Sequence, residues 1–496
     1  MYNVVLFNDS ASINEQSRGI GAYRLATECR QAGFSTIVID FVSAMSIEQF
    51  QKILAMTLSN STKVVGFSST WLPESTFNYK SAEFSNEPSY KTDDDWHKHS
   101  IAQLIAQGKV SLLKNIITQI QKDVKVVMGG AKSFQYIEAE FDHVFIGHSE
   151  NQFIDFLNGK ANKKIIDYDR KANDGNFEFN TSTIDYVDTD VLHKDEILGL
   201  ETSRGCIFNC TFCNYPHKNQ KTKNYTKYKT VLFNELLSNW QKWGITQYYI
   251  TDDTFNDYTD KLKIIHEVVS ALPFQPIFWA YIRFDLIQAH PEQAKLLYDI
   301  GVRAAMYGLE TWNDSTAKII RKGSDKNKKI QGMQLAKNIW GDRVKIVTFY
   351  IVGLPQDTEA SVYEYIDFFN TTGHDFIDEV CAFPLYLRDM GSYAKYAIQS
   401  EIESMKELYG YTMVKNKNWI RNDSGDINSF DQAVKVALTL EEKTKAKWKH
   451  TTDWTWNKLA ENNFPNLSGS AVFFQFFNNY YYPKLMHILE DKKNEQ

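Results

Sequence analysis

Over the first 150 positions, short unbroken apolar runs alternate with stretches whose apolar residues recur every three or four. The runs fall at 4–7, 36–41, 63–68, 124–130 and 144–147, and the periodic stretches at 19–32, 47–58 and 101–120. A run without polar interruption is buried on both faces, the habit of parallel strands, and strand–helix alternation then predicts a doubly wound, Rossmann-like parallel sheet. Gly33 stands where the first helix should stop. A polar insertion at 75–100 breaks the rhythm. Ligands of such sheets lie beyond the carboxyl ends of the strands, which here carry Asn8 and Asp9, Ser68 to Thr70, Gly129 and Gly130, and Gly147 to Glu150. Ser68, Gly129, Gly130 and Gly147 are small enough to let a large flat ligand approach the backbone.

Residues 151–195 read as a polar linker with extended pieces such as 164–167. From 196 to 385 strand and helix alternate again, which predicts a partial (β/α)6 barrel. Leu232, Leu236, Trp240 and Trp243 share one helical face that ends at Gly244. Carboxyl-end positions of barrel strands face the active site. Those positions hold the pair Asp252 and Asp253, then Arg283, Glu310 and Gly353. The acid pair suits a cationic amino group or the cap of the next helix. Arg283 suits a ligand carboxylate or a neighbouring strand's acid. The last part, 386–496, is expected to be mainly helical. Trp419, Trp448, Trp454, Trp456 and Tyr480 to Tyr482 are either its core or a lid over the barrel mouth.

A chain of 496 residues, 43% hydrophobic and 14% aromatic, has material for two or three cores; only the polar tail 491–496 is expected to lack order. The net charge of −6 gives no global footprint for nucleic acid and argues for a small-molecule or peptide substrate. The lysine-rich run 218–229 reads as a solvated loop or a contact for an anionic partner. No apolar stretch reaches membrane-spanning length, and the N-terminus has no basic region of a signal peptide. Five cysteines occur; Cys29 and Cys381 lie in apolar periodic surroundings and read as buried thiols. This usage fits a reducing, cytoplasmic setting.

The other three cysteines carry the chemistry. Cys206, Cys210 and Cys213 sit in one loop with spacers of three and two residues. Structural metal sites take four protein ligands, so three thiolates leave one metal position open. A zinc knuckle completed by His217, or three unrelated core thiols, are the plainer alternatives.

C-x3-C-x2-C with Phe212 before the last cysteine resembles the signature of radical S-adenosylmethionine (SAM) enzymes. The resemblance implies a 4Fe–4S cluster on Cys206, Cys210 and Cys213 that reductively cleaves SAM to methionine and a 5′-deoxyadenosyl radical. It also implies SAM contacts from Asp252 and Asp253 (ammonium), Arg283 (carboxylate), Glu310 (ribose or methionine) and the Gly353-Leu-Pro turn (adenine). An electron donor such as flavodoxin or ferredoxin is implied in the same way. Upstream, 126–150 resembles cobalamin-binding domains, with Gly-Gly after a strand and then Asp142-x-Val144-x-x-Gly147-x-x-Glu150. The histidine motif that ligates cobalt from below in many such domains is absent from 9–21. Together these imply a cobalamin-dependent methyltransferase acting on an unactivated carbon. A radical SAM enzyme of non-methylating outcome with a degenerate first domain, and a non-catalytic iron–sulfur or corrin sensor, are the alternatives. Methylthiolation calls for three further cysteines, and two remain.

Overall fold

The computed structural model describes residues 2–9, 17–70, 72, 100–167, 177–215, 217–220, 225–323, 325–388, 390–391, 394–414, 417–444 and 470–495. The insertion 75–99 and Trp448, Trp454 and Trp456 lie outside them.

The predicted apolar runs become β1 (Val4–Phe7), β2 (Thr36–Ile39), β3 (Val64–Ser68), β4 (Lys125–Gly129) and β5 (His143–Ile146). All pair in parallel in the order β2-β1-β3-β4-β5, to which β6 (Ile165–Asp167) is added. The chain reverses direction across the sheet between β1 and β3, the switch point at which doubly wound sheets open a crevice. Helix Ile20–Gln31 stops before Gly33, which takes φ +87. Ser46 and Gln49 form a reciprocal capping box at the start of helix Ile47–Thr57. The single helix expected over 101–120 is two, Ile101–Ala106 and Val110–Ile120. Gly108 at φ +74 turns the chain between them.

The expected linker is shorter than its polar composition suggested. Residues 150–167 supply helix Glu150–Leu157 and β6, so they belong to the first sheet. Phe153 and Leu157 fill the core while the helix's other face stays polar, which made it read as linker.

The second sheet holds β7 (Ile197–Leu200), β8 (Gln247–Ile250), β9 (Ile277–Tyr281), β10 (Val302–Glu310), β11 (Lys345–Val352) and β12 (Glu379–Pro384). Its order is sequential and all parallel, the open (β/α)6 barrel predicted. Gly199 of β7 lets the first unit dock, since a Cβ there would stand 2.3 Å from Ile20 Cγ2.

The C-terminal part divides between the two sheets. A hairpin, β13 (Tyr411–Val414) with β14 (Asn418–Arg421), and helix Phe430–Lys443 pack on the β11–β12 side of the barrel. Glu441 accepts from the backbone N–H of Ala382 at 2.9 Å and so caps edge strand β12. The final helices return to the first sheet, where Phe476, Phe477, Tyr481 and Leu485 are buried beside Phe41 and Phe50. Trp419 and Tyr481 are fully buried, so both serve as core. The tail expected to lack order continues helix Tyr482–Asn494. Among the described residues no helix is long and apolar enough to cross a membrane.

Candidate radical SAM active site

The cysteine loop leaves β7 at Glu201 and is clamped from behind by Asp252. That carboxylate accepts from Thr202 N (2.7 Å) and Oγ1 (2.6 Å) and from Ser203 N (3.1 Å) and Oγ (2.6 Å), with Lys261 Nζ 3.4 Å away. Gly205 at φ +112 turns the chain and donates to Tyr215 Oη at 3.0 Å. Cys206 N donates to the His217 carbonyl, and Cys213 N to Cys210 O. Thr211 N donates to Ile320 O while its own carbonyl receives Ile402 N, so the loop is braced on both sides.

Cys206 and Cys210 are buried and Cys213 half-buried, and all three lie within electrostatic reach of one another. Burial pushes the Cys206 thiol up and the Cys213 thiol to about 12. Such thiols ionise when a cation binds them, because the metal's own charge outweighs the desolvation penalty. Among the described residues no three His, Cys, Asp or Glu side chains converge as one metal ion requires. A 4Fe–4S cube takes each thiolate on a separate iron, so three spread thiols in one loop fit it.

Beside the loop, at the carboxyl ends of β8 to β12, lies a cavity of about 280 Å³. Asp253, Thr254, Arg283, Glu310 and Lys322 line one side; Tyr281, Met306, Phe349, Ile351 and Phe383 line the other. The acid pair is thus split. Asp253 faces the cavity, whereas Asp252 is absent from its lining and holds the cysteine loop, a correction to its expected SAM contact. Alternation of side chains between strand end and loop sent the two carboxylates apart. Burial pushes Asp253 up to about 8, a hydrogen bond from Tyr215 opposes this, and the Asp252 charge adds to it. A cationic ligand group would restore its ionised form.

Arg283 reaches the cavity but is already held. It donates to Asp285 Oδ1 (3.0 Å) and Oδ2 (2.6 Å) and to the Lys322 carbonyl, and stacks on the Phe208 ring at 3.7 Å. Glu310 adopts φ +66, strained backbone for a residue with a Cβ, and accepts from Lys322 Nζ at 3.0 Å. Gly308 makes that pair possible, since a Cβ there would meet Glu310 Oε1 at 2.1 Å. Phe212 packs against the core with the Lys322 ammonium 5.8 Å from its ring. Lys322 and the aromatic wall carried no signal in the spacing; the fold alone brings them in. Gly353 requires a second correction. Its N–H donates to Asp357 Oδ2 (3.1 Å), its carbonyl receives Tyr411 Oη (2.7 Å), and a Cβ would stand 2.8 Å from Trp419. The C-terminal hairpin, not a ligand, occupies this turn.

In the first sheet, Ser68, Gly129, Gly130 and Gly147 stand side by side at the carboxyl ends of β3, β4 and β5. Gly130 at φ +100 is close-packed, with Ser69 N and Oγ each 3.1 Å from where its Cβ would be. Glu150, from the same edge, turns toward the barrel and accepts from Arg204 Nη2 at 2.7 Å. Arg204 also binds Glu201 at 2.8 Å, and Arg24 lies 3.1 Å from Glu201. Burial raises both glutamates, but the Arg204 charge and hydrogen bond together with the Arg24 and His148 charges outweigh it and hold each at about 2. The His148 ring stacks on His217, centroids 5.0 Å apart. The two sheets' carboxyl edges are thereby tied together two residues before Cys206.

Residues 200–369, which hold the cysteine loop and most of the second sheet, match the model of the Radical SAM superfamily. It resembles a provisionally assigned methylthiotransferase of Methanocaldococcus jannaschii, 27% identical over 177 residues, 34% of this chain and 38% of that protein. It also resembles the bacteriochlorophyllide d C-12(1)-methyltransferase of Chlorobaculum tepidum, 23% identical over 35% of this chain and 37% of that one. The match thus spans little more than a third of each curated relative. Among solved structures, the radical SAM methyltransferase TsrM of Kitasatospora setae, with tryptophan and a SAM analogue bound, superposes with a TM-score of 0.58 at 15% identity. That superposition covers 82% of this chain and 77% of TsrM. The same protein with cobalamin and a 4Fe–4S cluster bound gives 0.55, covering 77% of this chain and 72% of TsrM. At such identity the likeness is one of fold, and it includes the first sheet.

Proposed function

We propose that this chain is a cobalamin-dependent radical SAM methyltransferase acting on an unactivated carbon of a small molecule. The observation that carries the reading is the pairing of a three-thiol loop with a doubly wound sheet whose carboxyl edge is tied to that loop through Glu150 and Arg204. When bound, a 4Fe–4S cluster supplies the electron that cleaves SAM, and a corrin supplies a carrier for the methyl group. The residues supply position. Cys206, Cys210 and Cys213 would hold three irons and leave one for the amino and carboxylate groups of SAM. Asp253 would accept from its ammonium, Glu310 would receive hydroxyl or ammonium donors, and Lys322 beside it would orient a carboxylate. The first sheet's edge at Ser68, Gly129, Gly130 and Gly147 would take the corrin. Trp279 of β9 and Met306 of β10, buried together inside the barrel, keep water from its inner end.

Methylthiolation, the assignment carried by one relative, has little support in the thiols. Cys29 and Cys381 lie in separate elements, both buried, with Cys29 pushed up to about 12 by burial. The test is anaerobic reconstitution with iron, sulfide and hydroxocobalamin, then desalting. About four irons and one cobalt per chain, with 5′-deoxyadenosine formed from SAM under reduction, support the reading. Four irons without retained cobalt would remove the corrin and leave a radical SAM enzyme of another outcome.

A further inference from the structure

We propose that the barrel's substrate is a planar, mostly apolar ring compound without phosphate, held by Phe383, Phe349 and Tyr281. The inference rests on the radical SAM part of the reading above and not on the corrin.

The cavity is graded across the sheet. Its charged groups are Asp253, Arg283 and Glu310 at the ends of β8, β9 and β10 and Lys322 from the loop after helix Asp314–Ile319, whereas β11 and β12 contribute Phe349, Ile351 and Phe383. A ligand chelated at the cluster thus has its polar end among Asp253, Glu310 and Lys322, and what lies alongside it meets an apolar wall. Phe349 and Phe383 are near-parallel, 13° between planes with centroids 6.3 Å apart, and Tyr281 tilts against Phe349 at 5.9 Å. Ile351 is the cross-strand partner of Phe383 and completes a flat patch. Phe383 is 49% exposed although it lines the cavity. An aromatic ring open to a cavity, with a parallel ring beside it, is a stacking platform for another flat π-system.

The charges argue against an anionic substrate. Both cations that line the cavity are matched by carboxylates, Arg283 by Asp285 and Lys322 by Glu310. Asp253 adds a further acid. A phosphate placed there would find neither cation without a carboxylate partner of its own, and would lose its hydration without gaining a bidentate partner.

Indole is the probe, titrated calorimetrically into the full-length, cluster-reconstituted protein with and without SAM, and uridine 5′-monophosphate is the charged comparator. Indole should bind more tightly than the nucleotide, and Phe383→Ala should weaken indole about ten-fold, in line with loss of one stacking partner. Phe383 is half-exposed, so its truncation leaves the fold intact, and Phe349→Leu repeats the test with a side chain that keeps volume but not the ring. Tighter binding of the nucleotide, indole affinity indifferent to both variants, or no indole binding at all would overturn the proposal. Iron content and SAM binding in the same preparation report separately on the radical SAM reading, and the titration without SAM judges the aromatic wall by itself.

Discussion

Two six-stranded parallel sheets sit in this chain, and their carboxyl edges are furnished in opposite ways. The edge of β8 to β10 gathers Asp253, Arg283, Glu310 and Lys322, the last three buried, with Glu310 at positive φ. The edge of β3 to β5 presents Ser68, Gly129, Gly130 and Gly147. The first arrangement sets charges of both signs side by side; the second presents only small residues. Shared topology therefore sets where ligands bind, and the side chains at strand ends set which. The two edges remain mechanically joined through Glu150, Arg204 and Glu201.

The strongest way to separate the regions is Cys206→Ala. It should abolish 5′-deoxyadenosine formation and lower iron content, while hydroxocobalamin retention stays at the parent level. Gly130→Ala should do the reverse. It forces a side chain to φ +100 against Ser69, at a cost of about 1–3 kcal/mol, and cobalt retention should fall while SAM cleavage in the absence of substrate continues. Glu150→Gln attacks the tie itself. Removing one charge from a buried pair costs roughly 3 kcal/mol, read as a lower denaturation midpoint with iron content unchanged. Gly308→Ala should push Glu310 away from Lys322 and raise KM for SAM about ten-fold, the loss of one charged hydrogen bond, with the cluster's absorbance intact.

Acid gives a gentler test of the same tie. Glu150 is held at about 2 against an ordinary 4.5, so its folded form binds protons less readily than its unfolded form. Its contribution is complete above pH 4.5, shrinks as pH falls, and is gone below about 2. Glu150→Gln should flatten this part of the stability–pH curve. Smallest of all, Leu408→Glu, at a 78% exposed position, should change stability by no more than about 0.5 kcal/mol.

Strand positions were readable because parallel strands buried on both faces leave unbroken apolar runs; β1 came out at its expected bounds. The helix Glu150–Leu157 was not, since half of it faces solvent and its polar face dominated the reading. The cysteine loop was legible because ligand spacing within one loop is a local property. The split of Asp252 from Asp253 was illegible, because adjacent residues at a strand end diverge according to what packs behind them. Gly353 misled for a related reason: a turn suited to close approach was filled by Trp419, more than sixty residues downstream.

By itself, then, the sequence determined what is local: apolar periodicity, glycine turns and three thiols within eight residues of one another. The tertiary structure decided which carboxylate meets the cavity, that Lys322 joins Glu310, that aromatic side chains of β9, β11 and β12 form one wall, and that Glu150 reaches Arg204 from another sheet. The two ion pairs among those contacts join residues twelve positions apart, for Glu310 and Lys322, and fifty-four, for Glu150 and Arg204, and only packing, which no pattern of neighbouring residues contains, brings them together.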